Sequence, residues 1–454
     1  MASTLTLDVF KGVMDIADQL DGIHPNEWSN FIFQRMPLGK KSVGMMTMHT
    51  QSLGSDSVQS QVYNYWEKPF NQRSGAVLDI YDGPGLTNAS SGSAAAGAIR
   101  TIAMTKKNAQ LWNIHDGIML TDTTSWARIT GRIVDISIVD DTTSYVTAYF
   151  PKADSSSIFA SSTVRFDPSA AAFPNKTELP QGRAYKPTKY TAVMSNRLAA
   201  WSLTIHEMIE KSRIAKSVAQ TAIEDATQDL LIANELGNLF SQMDDSDPRQ
   251  YMSQGLYDAV STRTTGGSNI INFKTDTNYL GSATGSFVLL GYQLLRNIGE
   301  YVSRDVGGGV WKCYCGGLAL EAIDAMLADR VGVRVSDTTQ IDDFGFRFKT
   351  LHTLNGDFEF YQHPLMSKSP SFQNSIIGVR NELIKVKTFI PLQYIDPAEF
   401  AKIAEAQKGG PKLDGTNWST EQKGGWFECK GQEIYNADAH FFLDGVGLDT
   451  AFDR

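Results

Sequence analysis

The sequence predicts an α+β fold. Its middle carries one long helical stretch, Trp201 to Met243, while most of its final third alternates apolar and polar residues as strands do. No proline occurs between Thr188 and Asp247 and no glycine between Arg183 and Leu236, so neither strong helix breaker interrupts the middle stretch. Ala215, Val218, Ala219, Ala222, Ile223, Ala226, Leu230 and Ala233 recur at steps of three and four, which lines up one apolar helix face. Glu207 and Lys211 form a favourably oriented pair on it. Such a helix reaches roughly 40–60 Å, a spine for smaller elements to lean on.

Before the spine, Val9, Phe10, Val13, Ile16, Ala17 and Leu20 predict a short opening helix. Ile23 to Phe70 is rich in aromatics and methionine without clean periodicity and reads as an extended arm that covers a neighbour. Within it, Asn26 caps a helix through Trp28, Phe31 and Ile32 that Pro37 ends. Ser74 to Gly97 has flexible-loop composition and lacks the lysine of a phosphate loop. Asn113–Asp122 predicts a strand, and Ile129, Ile133, Ile136, Ile138, Val146 and Tyr149 mark two or three more, turned at Asp140–Thr143. Lys152 to Lys189 is proline-rich and reads as loop.

After the spine, Asp244–Asn269 reads as turn, short apolar segment and loop. Leu290, Leu294, Ile298 and Val302 place a helix over Phe287–Val302. Gly307–Gly317 is a strand and Leu318–Arg330 a helix, so this part is a compact α/β sub-domain. Phe344–Leu354 and Asp357–Met366 are two strands split by Asn355-Gly356, a strong hairpin signal. Asn374–Asp396 adds a strand pair and Pro397–Gln407 a short helix. Gly409 to Gln432 reads as loop, and Ala439–Gly447 as a last strand.

Length alone suggests about three domains or sub-domains. The composition, 42% hydrophobic and 20% charged, suits a soluble protein with a sizeable core. A net charge of −9 argues against a surface built to grip nucleic acid, though not against enclosing it. Three cysteines, an odd and sparse set, fit a reducing compartment rather than a disulfide framework. Neither a signal peptide nor a membrane span is expected: the first twenty residues carry Asp8, Asp15 and Asp18, and the longest apolar block, Phe287–Leu295, is too short.

No stretch of the sequence carries a convincing active-site motif. His206-Glu207-Met208-Ile209-Glu210 resembles a zinc-protease helix but lacks the second histidine, so a solvated helix face is expected. Cys313 and Cys315 share a strand face with Trp311 and read as core thiols. Asp244-Asp245-Ser246-Asp247 lacks the glycine and terminal glutamate of a calcium loop and reads as a polar turn. No catalytic, cofactor-binding or metal residue is assigned, and weight shifts toward a structural protein.

Several stretches resemble the major capsid proteins of tailed bacteriophages. PNEWSNFIFQRMPLG followed by LGSDSVQSQVYNYWEKPF is similar to the N-terminal arm of one branch, with its WxEK-like signature at Trp66, Glu67 and Lys68. IHDGIMLTDTTSWARITGRIVD, KYTAVMSNRLAAWSLT and DDFGFRFKTLHTLNGDFEFYQHPLM resemble later segments in the same order. The resemblance implies a Hong-Kong-97-type fold: N-arm over residues 1–70, extended (E) loop and β-layer over 71–190, peripheral (P) domain with the spine over 191–262, axial (A) domain over 263–372, and P-domain strands with a C-terminal segment over 373–454. It implies self-assembly into hexamers and pentamers of an icosahedral shell around double-stranded DNA, a virion location after synthesis in the host cytoplasm, no enzymatic activity and no cofactor. Scaffold, portal and cement proteins are the further partners it allows. Trp28, Phe31, Trp66, Glu67 and Lys68 are the inter-subunit contact candidates. Two alternatives stand: an encapsulin-like or other structural shell protein, and an α+β enzyme using His206, Glu207 or the Cys313/Cys315 pair.

Overall fold

A computed structural model describes residues 44–51, 54–68, 73–83, 95–140, 142–152, 159, 163–171, 187–204, 218–247, 249–264, 269–277, 279–281, 285–304, 307–329, 340–342, 346–395 and 421–447. The helices expected over 9–20, around Trp28 and over 397–407 lie outside these residues. The chain divides into two compact units, one drawn from residues 1–67 and 189–454, the other from 68–188.

The first unit holds a seven-stranded mixed sheet built around Gly309–Cys315, which pairs in parallel with Gly356–Gln362 and antiparallel with Ile376–Val379. Strand alternation sorts its side chains onto two faces. Trp311, Cys313, Cys315, Phe358, Phe360, Ile376, Phe441 and Leu443 face one core, closed by helices Phe287–Ser303 and Gly317–Asp329. Tyr314, Tyr361, Ile377, Val379 and Phe442 face a second core with Met45, Met46, Leu239 and Leu256. Both faces are covered, which explains why these strands read as near-continuous apolar runs. The helix at Phe287 begins on Ser286, whose hydroxyl accepts from the Val288 N–H. The expected hairpin forms, but its turn is Leu354-Asn355 rather than Asn355-Gly356: Gly356 pairs with Thr353 and opens the second strand, which stops at Gln362. Pro364 then opens a short helix, Pro364–Lys368.

A four-stranded sheet carries the spine. Its order is Ser55–Ser57, Ile384–Ile395, Glu421–Ile434, Ser195–Thr204. The spine helix is Val218–Phe240, 23 residues and about 34 Å long. It packs Ala222, Ile223 and Ala226 against Trp201 and Leu203 of the sheet. Two sequence expectations are corrected here. Trp201–Thr204 ends a strand rather than beginning the helix, because ten residues from Ser195 to Thr204 pair in register with Lys430 to Glu421. The stretch expected as loop up to Gln432 contains most of Glu421–Ile434, the longest strand among the described residues. Its glycines are packing residues: a Cβ on Gly424 would lie 2.8 Å from the Trp201 ring.

The arm expected over 23–70 is corrected in part. Met45–Gln51 is a helix with Met45, Met46 and His49 buried in this chain's own core, and Val62–Glu67 is a strand.

The second unit is a closed antiparallel barrel. Its sheet order runs from Gly75–Ala76 through Val164–Ser169, Gly117–Asp122, Arg128–Ser137, Ser144–Phe150 and Ala98–Met104 to Asp79–Asp82. The first and last of these are one bent segment. The Val77 N–H still bonds the Val164 carbonyl, while the Leu78 N–H already bonds that of Ala103, so the segment joins both edges. Ile80, Ile102, Ile118, Leu120, Ile133, Val146, Phe150 and Phe166 fill the interior. The mobile-loop reading of Ser74–Gly97 is thereby corrected for residues 75–82, and the loop reading of Lys152–Lys189 for Val164–Ser169. Both strands are short and bounded by loop-like composition, and they are held by partners from distant sequence.

At Gly378 a Cβ would lie 2.0 Å from the Phe441 ring, in the middle of the seven-stranded sheet. Gly378→Ala is expected to cost about 1–3 kcal/mol by overpacking. Urea unfolding against wild type measures it.

Candidate functional site

No described residues form a catalytic constellation. Among them, no group of three His, Cys, Asp or Glu side chains is placed to hold a metal. His206 and Glu207 lie outside the described residues. Cys313 and Cys315 are fully buried, and burial pushes both thiols well above their ordinary pKa, away from nucleophilic chemistry. No described helix is long and apolar enough to cross a membrane.

The polar chemistry that does converge lies along one face of the spine helix. The fully buried Glu235 carboxylate accepts from the Met46 N–H at 2.7 Å, the Thr47 N–H at 2.9 Å and the Thr47 hydroxyl at 2.6 Å. It thus caps the N-terminus of Met45–Gln51, where a negative charge meets free backbone donors and the positive end of the helix dipole. His363 Nε2 stands 2.9 Å from the same carboxylate, and His363 Nδ1 accepts from the Met366 N–H. With Nδ1 accepting, Nε2 carries the proton and donates to Glu235. Burial opposes ionisation of Glu235, but the hydrogen bonds from His363 and Thr47 outweigh it and hold the carboxyl below its ordinary value.

One turn along, Arg197 donates to Asn234 and Asn238 on the spine, each at 2.9 Å, and to Ser253 at 3.3 Å. Asn234 donates to Glu428, which also pairs with Lys430 at 2.5 Å. Gln432 donates to the carbonyls of Asn238 and Gln254. Between Thr47, Arg197, Asn234 and Gln432 remains a cavity with room for about one water molecule. This seam binds the helix to the sheet. Its second anchor on Met45–Gln51 is His49, between the Tyr314 hydroxyl at 2.9 Å and Asp342 at 2.7 Å. Sequence reading missed the seam. Glu235 lies 128 residues from His363 and 189 from Met46, and no local spacing marks either contact.

The contact candidates divide by strand alternation. Tyr63 and Tyr65 of Val62–Glu67 turn inward, Tyr65 stacking on Tyr190 under the Arg263 guanidinium. Trp66 turns outward, 54% exposed, with Val62 on the same face. Glu67 is half-buried and accepts from the Asn436 N–H of its own chain at 3.1 Å. Burial raises its pKa, against that hydrogen bond. Lys68 is exposed. Trp28 and Phe31 lie outside the described residues.

No protein-family model matches the chain, and no curated protein matches it. Solved structures do. A chain from Mycobacterium phage Bobi aligns over 95% of this chain and 99% of its own, at 7% identity and a TM-score of 0.41. The capsid of a native GTA particle aligns over 96% and 100%, at 8% identity and a TM-score of 0.39. The holo-SrpI encapsulin complex from Synechococcus elongatus aligns over 58% and 78%, at 10% identity and a TM-score of 0.35.

Glu235→Ala is expected to lower unfolding free energy by about 3–5 kcal/mol, since it strands His363 and two helix N–H groups. The folded carboxyl titrates below its unfolded value of 4.5, so its contribution is fully present above that pH and is lost as pH falls through the lower folded value. Urea titrations between neutral pH and pH 3 are expected to show this acid loss in wild type and a smaller one in Glu235→Gln.

Proposed function

We propose that this protein is a shell subunit: a major capsid protein of the tailed-phage type with a Hong-Kong-97-type fold. It assembles into hexamers and pentamers that close an icosahedral head around double-stranded DNA. One observation carries this reading. The segments that resemble such proteins occur in order along the chain, and the elements between them come in the same sequence: Val62–Glu67, a separate β unit, a 23-residue spine on a long-stranded sheet, and an α/β unit. In this reading residues 71–190 act as the E-loop region, 191–262 with 373–454 as the P-domain, and 263–372 as the A-domain. The role is structural rather than enzymatic, and the location is the virion.

The physical chemistry supports it. The chain divides its apolar residues among several modest cores and leaves Trp66, Leu354 and Trp126 at the surface, so contacts between copies contribute stability that one subunit lacks. A net charge of −9 keeps the shell from condensing on the genome it encloses. Scaffold, portal and cement proteins are separate partners in this scheme.

Negative-stain electron microscopy with light scattering, on the full chain expressed alone, tests the reading. Closed shells, tubes or rings of five and six subunits are expected. Discrete monomers that remain so after co-expression with the neighbouring phage genes sink it. Duplex DNA inside native particles separates a phage head from an encapsulin-like compartment, which holds protein cargo instead. Removing residues 1–43 is expected to abolish assembly while thermal unfolding stays cooperative. The cut precedes Met45 because Met45–Gln51 belongs to the subunit's own core. An arm-deleted chain that builds normal shells overturns the role of the arm.

A further inference from the structure

The sequence holds a single Asn-Gly pair, Asn355-Gly356, and the fold sets it at the tip of a hairpin. Thr353 pairs with Gly356, so Leu354 and Asn355 alone make the turn. Leu354 is fully exposed and Asn355 half-buried. Among the described residues the Asn355 side-chain amide has no hydrogen-bond partner. Gly356 has no Cβ to shield its backbone nitrogen, and it takes a φ of +146°. The Asn355 Cγ and the Gly356 nitrogen are the two ends of a five-membered ring that has yet to close. The one Asn-Ser pair, Asn374-Ser375, has the next smallest follower and offers the contrast. There the Asn374 amide donates to the Val446 carbonyl at 2.7 Å, which holds its side chain in place. Two contacts restrain the hairpin tip. The Thr353 hydroxyl donates to the Gly356 carbonyl at 2.6 Å. Beyond the turn Gly356 pairs with Gly309, and a Cβ on it would lie 2.3 Å from the Trp311 ring. Ring closure therefore waits on local opening of an exposed two-residue tip, which is among the least costly openings a fold allows.

We propose that Asn355 is a self-modifying site, which converts through a succinimide to aspartate and isoaspartate in the folded chain. The Gly356 nitrogen gives its proton to a solvent base and attacks the Asn355 Cγ. A new C–N bond forms, the bond to the side-chain nitrogen breaks, and that nitrogen leaves as ammonia with a proton from water. Water then adds to one of the two ring carbonyls. Opening at Cγ leaves an aspartate in an unchanged backbone. Opening at the main-chain carbonyl routes the backbone through the side chain and lengthens it by one methylene. Either product places a carboxylate beside the His352–Asp357 pair, whose Nδ1 and Oδ1 lie 2.8 Å apart, and adds negative charge to a chain already at −9. The two products differ in fit. Aspartate keeps the Thr353–Gly356 pairing, whereas the longer isoaspartyl backbone pushes Gly356 toward the Trp311 ring and the Gly309 carbonyl. The folded hairpin thus favours the aspartyl product.

Peptide mapping tests the site. The full chain is held folded at mildly alkaline pH in heavy-oxygen water, then digested and mapped by mass spectrometry, with a parallel sample unfolded in urea. Isoaspartate is scored by isoaspartate-specific enzymatic methylation. Heavy oxygen is expected to enter the peptide holding Asn355 in the folded chain at a rate within about tenfold of the unfolded one, while the peptide holding Asn374 stays unlabelled. The isoaspartate share is expected to be smaller in the folded sample than in urea. Thr353→Ala is expected to speed the folded reaction about fivefold, the change that a lost hydrogen bond gives an opening equilibrium. Asn355→Gln is expected to stop it, because the longer side chain has to close a larger ring; thermal unfolding checks that both variants fold. An Asn355 that stays unlabelled in the folded chain while the unfolded chain converts overturns the proposal. So does labelling at Asn374 as fast as at Asn355. Labelling that Thr353→Ala leaves unchanged overturns opening of the hairpin tip as the controlling step. The shell reading stands or falls separately, on assembly.

Discussion

A carboxylate with no access to water sits where three distant parts of the chain meet. Glu235 is ionised inside the protein, and an unsatisfied buried charge costs several kcal/mol. Its four donors come from Met46, Thr47 and His363, so the spine helix, Met45–Gln51 and the end of strand Gly356–Gln362 have to be in place together. Neither the helix nor the histidine can leave without exposing that charge to an apolar interior. Arg197, Asn234, Asn238, Glu428 and Gln432 extend the constraint along the spine and fix it against the four-stranded sheet.

The chain is pinned at Met45–Gln51, which belongs to the subunit's own core. The pinned helix also carries His49 into the second core, among Tyr314, Phe346 and Tyr361, where its imidazole bridges the Tyr314 hydroxyl and Asp342. Helix Met45–Gln51 is thereby tied to the seven-stranded sheet by largely buried polar contacts.

The barrel follows a different logic. It closes on itself through the bent segment 75–82 and keeps its own apolar interior. Closure removes both sheet edges, which in an open seven-stranded sheet would invite unspecific strand pairing. What it presents instead is strand faces, with side chains set by alternation: arginine, tyrosine and aliphatic residues on one part of its exterior. The same alternation decides the fate of the WxEK-like segment. Trp66 points to solvent because Tyr65 points inward, and Glu67 returns to its own chain at Asn436. Of the five contact candidates, the tryptophan on this strand and the lysine after it are exposed and the glutamate is half-buried.

Elements whose signals are local were legible in the sequence. Helix Phe287–Ser303 has its four-residue period, the hairpin its Asn-Gly signal one residue from the Leu354-Asn355 turn, and strand Gly309–Cys315 its flanking glycines. The spine was legible from Val218 to Phe240, but its start was not. Absence of glycine and proline is shared by helices and strands, and Trp201–Thr204 is a strand only because Gln422 and its neighbours pair with it more than two hundred residues later. Glu421–Ile434 was hidden for the converse reason: Gly424 and Gly425 look like loop residues until the Trp201 ring and the Ala199 backbone occupy the space their missing side chains leave. Barrel closure and the Glu235 seam were equally invisible. By itself the sequence determined periodicity, turns and charge, which act over a few residues. Tertiary structure alone decided which distant segments pair and which buried charges find donors, because those energies exist only once the chain has brought the groups together.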